Sequence, residues 1–285
     1  MDIIRTVSEM QRRMTAARAA GQKIAFVPTM GFLHQGHLSL LDAGRRRGDL
    51  LVLSIFVNPT QFGQGEDFDD YPRDLQRDSE LAEAGGVDVI FAPSAAEMYP
   101  SGYASYVNVE GITETLCGAS RPGHFRGVCT VVAKLFNIVQ PHLAIFGAKD
   151  FQQLAVIRRM TLDLNLPIEI AGMPIFREPD GLAMSSRNVY LSLEQRGQAL
   201  ALSQALATAR ELVAGGETDS AAIIARLERD ISTQPEARID YVRICHQFTL
   251  ADQPGVDADA VLLLAVYVGE TRLIDNGFLI AQEER

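Results

Sequence analysis

The sequence predicts an α/β protein, with a parallel sheet covered by helices and a second, smaller α+β domain after it. Three observations carry this expectation. Up to about residue 175, short continuous apolar runs alternate with amphipathic stretches, the pattern of strands buried on both faces. After residue 176 the pattern changes to two helical stretches and then three strand-like runs with short connections, which suits an antiparallel sheet. Finally, 285 residues with 47% hydrophobic and 22% charged side chains suffice for one or two cores. The longest apolar runs, "LLVLSIFV" and "VLLLAVYV", are eight residues each, a strand's length and far short of a membrane-spanning helix.

The elements follow in order. Ile3, Ile4, Val7, Met10 and Met14 mark an amphipathic helix over residues 3–19, stopped by Gly21. "KIAFVPT" is a buried strand, "GHLSLLDAGRRR" a helix and "LLVLSIFVN" a second buried strand. "DLQRDSELAEAGG" is a helix ending in a glycine pair, and "VDVIFAP" a third strand. A helix over Phe125–Val139 precedes the strand "HLAIFG", the helix "KDFQQLAVIRRM" and the strand "PIEIAG". The domain boundary is expected near Phe176–Leu182, giving domains 1–175 and 176–285. Beyond it, "SLEQRGQALALSQALATARELVAGG" reads as one long helix and "DSAAIIARLERDIS" as another. "RIDYVRICH", "AVLLLAVYV" and "TRLIDNGFLI" read as antiparallel strands. The polar, Gly-rich segment 62–72 is a candidate lid.

Composition narrows the function. The three cysteines, Cys117, Cys129 and Cys245, are widely spaced, which argues against a disulfide framework or zinc ribbon. A net charge of −10 disfavours binding to nucleic acid or an anionic membrane. The N-terminus carries no apolar secretory core, so a cytoplasmic location is expected.

Five short stretches carry chemistry. In "PTMGFLHQGH", His34 and His37 stand at the start of a helix, where N–H groups and the helix dipole suit phosphate, and Gly36 permits close approach. Zinc would need further ligands that no neighbouring His/Cys cluster supplies. The bland alternative is a pair of partly exposed histidines. In "FGAKDFQQL", Lys149 stands at a strand's C-terminal end, where ligands bind in open α/β sheets; Asp150 suits a helix N-cap, and Gln153 lies one turn on. In "DGLAMSSRN", two hydroxyls and Arg187 suit a polyphosphate. In "FVNPTQF", Asn58 and Gln61 offer amides to a small substrate. In "GHFRGV", His124 opens an apolar helix and reads as structural. The P-loop, G-x-G-x-x-G and G-x-S-x-G motifs are absent.

Taken together, "PTMGFLHQGH", "FVNPTQF", "YPR", "GHFRGV", "FGAKDFQQL" and "DGLAMSSRN" closely resemble, in order and spacing, the pantoate–β-alanine ligase family. That family belongs to the nucleotidyltransferases with a His-x-Gly-His signature, relatives of class I aminoacyl-tRNA synthetases. The resemblance is strong over residues 1–190. It implies a Rossmann-like doubly wound N-terminal domain, a smaller C-terminal cover, and a cytoplasmic homodimer that uses ATP and Mg²⁺. It implies ATP contacts at Met30, Gly31, Phe32, Leu33, His34, Gln35, Gly36 and His37, at Gly147, Ala148, Lys149 and Asp150, and at Phe176, Met184, Ser185, Ser186 and Arg187. Phe176 replaces the smaller aliphatic residue the family leads one to expect. The resemblance further implies that His37 is the catalytic acid and that Gln61 and Gln153 hold pantoate, Gln61 also lying at the β-alanine site. His34, Lys149 and Arg187 are expected to assist His37 at the phosphates, and Asn58 to meet the substrate. No carboxylate cage for a metal is evident, with Asp78 the one acidic candidate. Rival readings are a related nucleotidyltransferase, a tRNA synthetase fragment, and a non-catalytic nucleotide-binding module.

Overall fold

The computed structural model describes residues 1–63 and 65–281, so Gln64 of the 62–72 segment and the last four residues lie outside it. In chain order the main elements are β1 (Asp2–Ile4), α1 (Val7–Ala19), β2 (Ile24–Thr29), α2 (Gln35–Arg47), β3 (Leu50–Ile55), α3 (Leu75–Ala84) and β4 (Val89–Phe91). There follow α4 (Ala95–Met98), α5 (Cys117–Ser120), α6 (His124–Val139), β5 (Leu143–Gly147), α7 (Phe151–Asp163) and β6 (Glu169–Met173). The remainder comprises α8 (Leu193–Ala199), α9 (Ala201–Ala214), α10 (Ser220–Ile231), β7 (Ala237–His246), β8 (Ala260–Val268) and β9 (Thr271–Phe278).

The chain divides into two compact units. The first comprises Met1–Ala148 and Val156–Pro174; the second comprises Lys149–Ala155 and the chain from Ile175 onward. The first holds a six-stranded parallel sheet in the order β1-β4-β3-β2-β5-β6. Ile24, Ala25, Phe26 and Val27 of β2 are all fully buried. Because successive side chains point to opposite faces, this strand is covered on both. Chain order reverses on either side of β2, with β3 to one side and β5 to the other. The C-terminal ends of these strands therefore flank a topological switch point, where open α/β sheets bind ligands. The second unit packs α9 and α10 on a three-stranded antiparallel sheet, β7-β8-β9, around Leu202, Leu206, Ile223, Leu227, Leu262 and Leu264.

Two elements differ from the sequence expectation. Residues 2–4 are a strand, not the start of the first helix: Ile3 and Ile4 pair in parallel with Ile90 and Phe91. β-Branched side chains suit a sheet edge, and Thr6, whose hydroxyl accepts from the Glu9 N–H, sets the true helix start. The long Ala/Leu helix is two helices meeting at Leu200. Each packs on a different part of the sheet, α8 against β8 and α9 against β8, β9 and α10. Composition alone cannot foresee such a break.

Candidate active site

The turn after β2 is built for a fixed backbone. Gly31 has φ +88° and Phe32 φ +51°, left-handed conformations that glycine adopts freely and phenylalanine does not. A Cβ on Gly31 would lie 2.9 Å from both Asp78 Oδ2 and Ile55 Cγ2. Phe32 is held because its N–H donates to Asp78 Oδ2 (2.7 Å), while the Leu33 N–H donates to Asp78 Oδ1 (2.7 Å). Thr29 adds a third tie, its hydroxyl accepting from the Gly31 N–H and donating to the Ser54 carbonyl. Asp78 is 1% exposed, on the buried side of α3 with Ala82. Burial pushes its carboxyl above the ordinary range, against the pull of its two N–H donors.

Each carboxylate oxygen of Asp78 accepts a backbone N–H, so the residue anchors the turn. Leu33 is fully buried in the core, and its N–H donates to Asp78, so it anchors the stretch Met30–His37.

His34 and His37 follow. His34 is the N-cap of α2 in an extended conformation, and His37 is the third residue of the helix. Their rings lie with centroids 4.0 Å apart and 30° between planes. The His34 N–H donates to His37 Nδ1 (3.3 Å). Only a neutral imidazole accepts at Nδ1, so this bond places the ring proton on Nε2 and gives His37 a donor that points away from its own helix cap.

Beside this turn, after β3, Asn58 caps a 3-10 turn, Pro59–Gln61. Its Nδ2 donates to Gln61 Oε1 (3.1 Å) and to the Gly127 carbonyl (3.2 Å). Its Oδ1 accepts from the Tyr99 hydroxyl (2.7 Å) and the Thr60 hydroxyl (3.0 Å). Through these bonds Asn58, expected to touch substrate, also organises Gln61. Gly127 permits the close packing, since a Cβ there would lie 2.2 Å from the Thr60 carbonyl oxygen. His124, expected to be structural, holds the Gln61 carbonyl through Nδ1 (2.8 Å). Arg121 NH1 contacts its Nε2 (3.1 Å), and Arg121 grips Glu66 of the 62–72 segment with two bonds of 2.7 and 2.6 Å. Burial alone would raise the Glu66 carboxyl, but the Arg121 hydrogen bond and charge outweigh it and hold the group below its ordinary value.

In the first unit, therefore, Met30–His37, Asn58, Gln61, Gly147 and Ala148 lie at or just beyond the C-terminal ends of three adjacent strands, β2, β3 and β5. The second unit holds Lys149, Asp150, Gln153, Phe176, Met184, Ser185, Ser186 and Arg187. Ala148–Asp150 form one 3-10 turn ahead of α7. The Lys149 carbonyl accepts from Asn276 Nδ2 (2.8 Å), and the neighbouring Asp275 carboxylate pairs with Arg177 through two bonds of 2.7 and 2.9 Å. The Met184 N–H donates to the Phe176 carbonyl (3.0 Å), which brings these two distant residues together. Ser185 accepts from the Arg187 N–H (3.2 Å) and caps the turn Ser186–Tyr190. Ser186 is buried, and Phe176 is 41% exposed.

Sequence reasoning missed Asp78 as an anchor, and also Tyr99, Gly127 and Asn276. The available signal for Asp78 was an acid at the core-facing spacing of Leu75 and Ala82. Among the described residues no group of three His, Cys, Asp or Glu side chains is placed to hold a metal ion, and no helix is long and apolar enough to cross a membrane.

The Pantoate-beta-alanine ligase family model matches residues 2–278. A pantothenate synthetase of Syntrophotalea carbinolica is 60% identical, covering 99% of this chain and 100% of the relative. The crystal structure of pantothenate synthetase from Thermus thermophilus is 48% identical with a TM-score of 0.93, covering 99% of this chain and 100% of that one. The pantoate-beta-alanine ligase from Francisella tularensis, complexed with beta-gamma ATP and beta-alanine, is 33% identical with a TM-score of 0.83, covering 98% of each chain. The fold, the paired histidines at the switch point and these likenesses agree: the chain belongs to the pantoate-beta-alanine ligase family.

Proposed function

We propose that this enzyme condenses pantoate with β-alanine to pantothenate at the expense of ATP, through a pantoyl-adenylate intermediate. The observation that carries the reading is the His37 ring, whose Nδ1 accepts from the His34 N–H inside the turn clamped by Asp78. That bond orients the ring at the switch point, where a phosphate chain would lie.

In the first half-reaction a pantoate carboxylate oxygen attacks the α-phosphorus of ATP. The bond to the bridging oxygen breaks, and pyrophosphate leaves with that electron pair. A carboxylate and a polyphosphate repel, so the protein must supply alignment and positive charge. His37 donates to the phosphate oxygens as charge builds, with His34 beside it. Lys149 and Arg187 hold the β and γ groups. Gly147–Asp150, Phe176 and Met184–Arg187 complete the nucleotide contacts, with Phe176 on the adenine side. Gln61 and Gln153 hold pantoate, and Gln61 also borders β-alanine. In the second half-reaction the β-alanine amine attacks the acyl carbon, a C–N bond forms, the C–O bond to AMP breaks, and the amine sheds its proton. No protein nucleophile is required. The acyl adenylate is water-sensitive, so a closed site is needed. A smaller domain over residues 176–285, acting as a cover to the domain over 1–175, would meet that need together with the 62–72 segment.

The described residues do not form a carboxylate cage for Mg²⁺. The ion enters this reading as the partner of the ATP phosphates and water, its usual preference, and no step is assigned to it. A cytoplasmic homodimer completes the reading. Incubation with ATP, pantoate and β-alanine should yield AMP and pantothenate one to one; ADP in place of AMP would overturn the adenylate mechanism.

A further inference from the structure

We propose that Tyr99 is a positioning residue for pantoate: acting through Asn58, it fixes the Gln61 amide so that its N–H groups, not its carbonyl, meet the substrate. The inference rests on the assignment of Gln61 to pantoate.

Backbone groups have a fixed polarity, and two of them decide which way Asn58 faces. The Thr60 N–H (3.4 Å) requires oxygen at one end of the Asn58 amide, and the Gly127 carbonyl (3.2 Å) requires nitrogen at the other. The remaining N–H of Asn58 meets Gln61 and so requires the Gln61 oxygen there (3.1 Å). The Gln61 NH₂ must then point the opposite way. Its contact is Met30 Sδ (3.3 Å), a thioether and a weak acceptor. A carboxylate or hydroxyl oxygen is the better partner and would take that place. The polarity set at Gly127 is thus transmitted through two amides, and it selects a substrate that presents oxygen acceptors.

The Tyr99 hydroxyl closes this relay from the far side, with the shortest bond made to Asn58, 2.7 Å to Oδ1. Burial pushes its phenol up to about 12, so it remains a donor throughout the neutral range. Its ring is held in place by Tyr103 edge-on at 5.0 Å and by the Lys134 ammonium 5.6 Å from its centroid. The same ammonium lies 4.6 Å from the Tyr103 centroid. Lys134 is one of only three lysines in the chain. Without the Tyr99 hydroxyl, Asn58 keeps its backbone ties but loses its strongest restraint. The Asn58 N–H then holds the Gln61 oxygen less firmly, and the Gln61 NH₂ is less well fixed toward pantoate.

The test is steady-state kinetics of Tyr99→Phe, Gln61→Ala and the double variant, each with pantoate, ATP and β-alanine varied in turn. Tyr99→Phe should raise the pantoate KM about 5- to 10-fold, the scale of one lost hydrogen bond, with the ATP KM unchanged. In the Gln61→Ala background it should add nothing further. A Gln61→Ala variant with an unchanged pantoate KM would overturn the assignment of Gln61 itself. If Gln61→Ala raises that KM while Tyr99→Phe alone does not, or if the two effects multiply in the double variant, the relay is refuted and the Gln61 assignment stands.

Discussion

The two units position their candidate groups by different means. In the first, a parallel sheet delivers Met30–His37, Asn58–Gln61 and Gly147–Ala148 to neighbouring strand ends, and short-range bonds from Asp78, Thr29 and Asn58 trim their orientation. In the second, an antiparallel sheet gives no such shared edge. Lys149 and the 176–184 segment are instead tied to adjacent residues of β9, Asn276 and Asp275. Topology places a whole segment through many backbone bonds at once, whereas a side-chain tie places one residue and fails with one substitution.

The largest effects should come from removing the groups proposed to act on the phosphates, one in each unit. His37→Ala and Lys149→Ala should each slow pantoate-dependent exchange of pyrophosphate into ATP about 100- to 1,000-fold, the range of a lost acid or preorganised donor. Near-normal exchange in either variant would remove that residue from the mechanism. The Asp78 clamp should come next. Asp78→Asn keeps the shape but turns an NH₂ toward a backbone N–H, leaving one buried donor unsatisfied at about 1–3 kcal/mol. Urea unfolding should register that loss, and exchange should fall roughly 10-fold or more as the His37 turn loosens. Full activity would mean that topology alone suffices to place the histidines.

Asn276→Ala probes the second unit's device. It removes the Asn276 donor from the Lys149 carbonyl, a loss of about 1 kcal/mol, and should raise the ATP KM about 5-fold while leaving the pantoate KM alone. A matching rise in both would mean that the tie supports the fold and not Lys149. The smallest effect concerns the Glu66–Arg121 pair. The Glu66 pKa is depressed on folding, so its contribution is fully present above the ordinary carboxylate range and is lost as pH falls through the lower, folded-state value. Acid unfolding followed by circular dichroism should therefore show Glu66→Gln less stable than the parent at neutral pH by up to about 1 kcal/mol, with the gap closing in acid. A gap that widens in acid would reverse the assigned sign.

Much of this molecule was legible in advance. Buried strands announce themselves as continuous apolar runs, and all three strands that carry the first unit's candidates were readable as "KIAFVPT", "LLVLSIFVN" and "HLAIFG". The histidine pair was legible because a strand, a glycine turn and a helix are contiguous in sequence. Asp78 and Tyr99 were not, because each acts on a segment about 40 residues away, across contacts that no local pattern encodes. The role of Asn58 in holding Gln61 was hidden for the same reason: its motif shows an amide at a strand end but not the Tyr99, Thr60 and Gly127 groups that orient it.

The sequence by itself determined the alternation of elements, the switch from parallel to antiparallel grammar, and the chemical identities of His34, His37, Lys149, Gln61 and Arg187. These follow from hydrophobic period, turn residues and side-chain chemistry, all of which are local. Only the tertiary structure decided which amide faces outward, which imidazole nitrogen carries the proton, and which carboxylate anchors a backbone. Those outcomes depend on the polarity of hydrogen-bond partners brought together from distant parts of the chain, and that polarity has no signature in the spacing of residues.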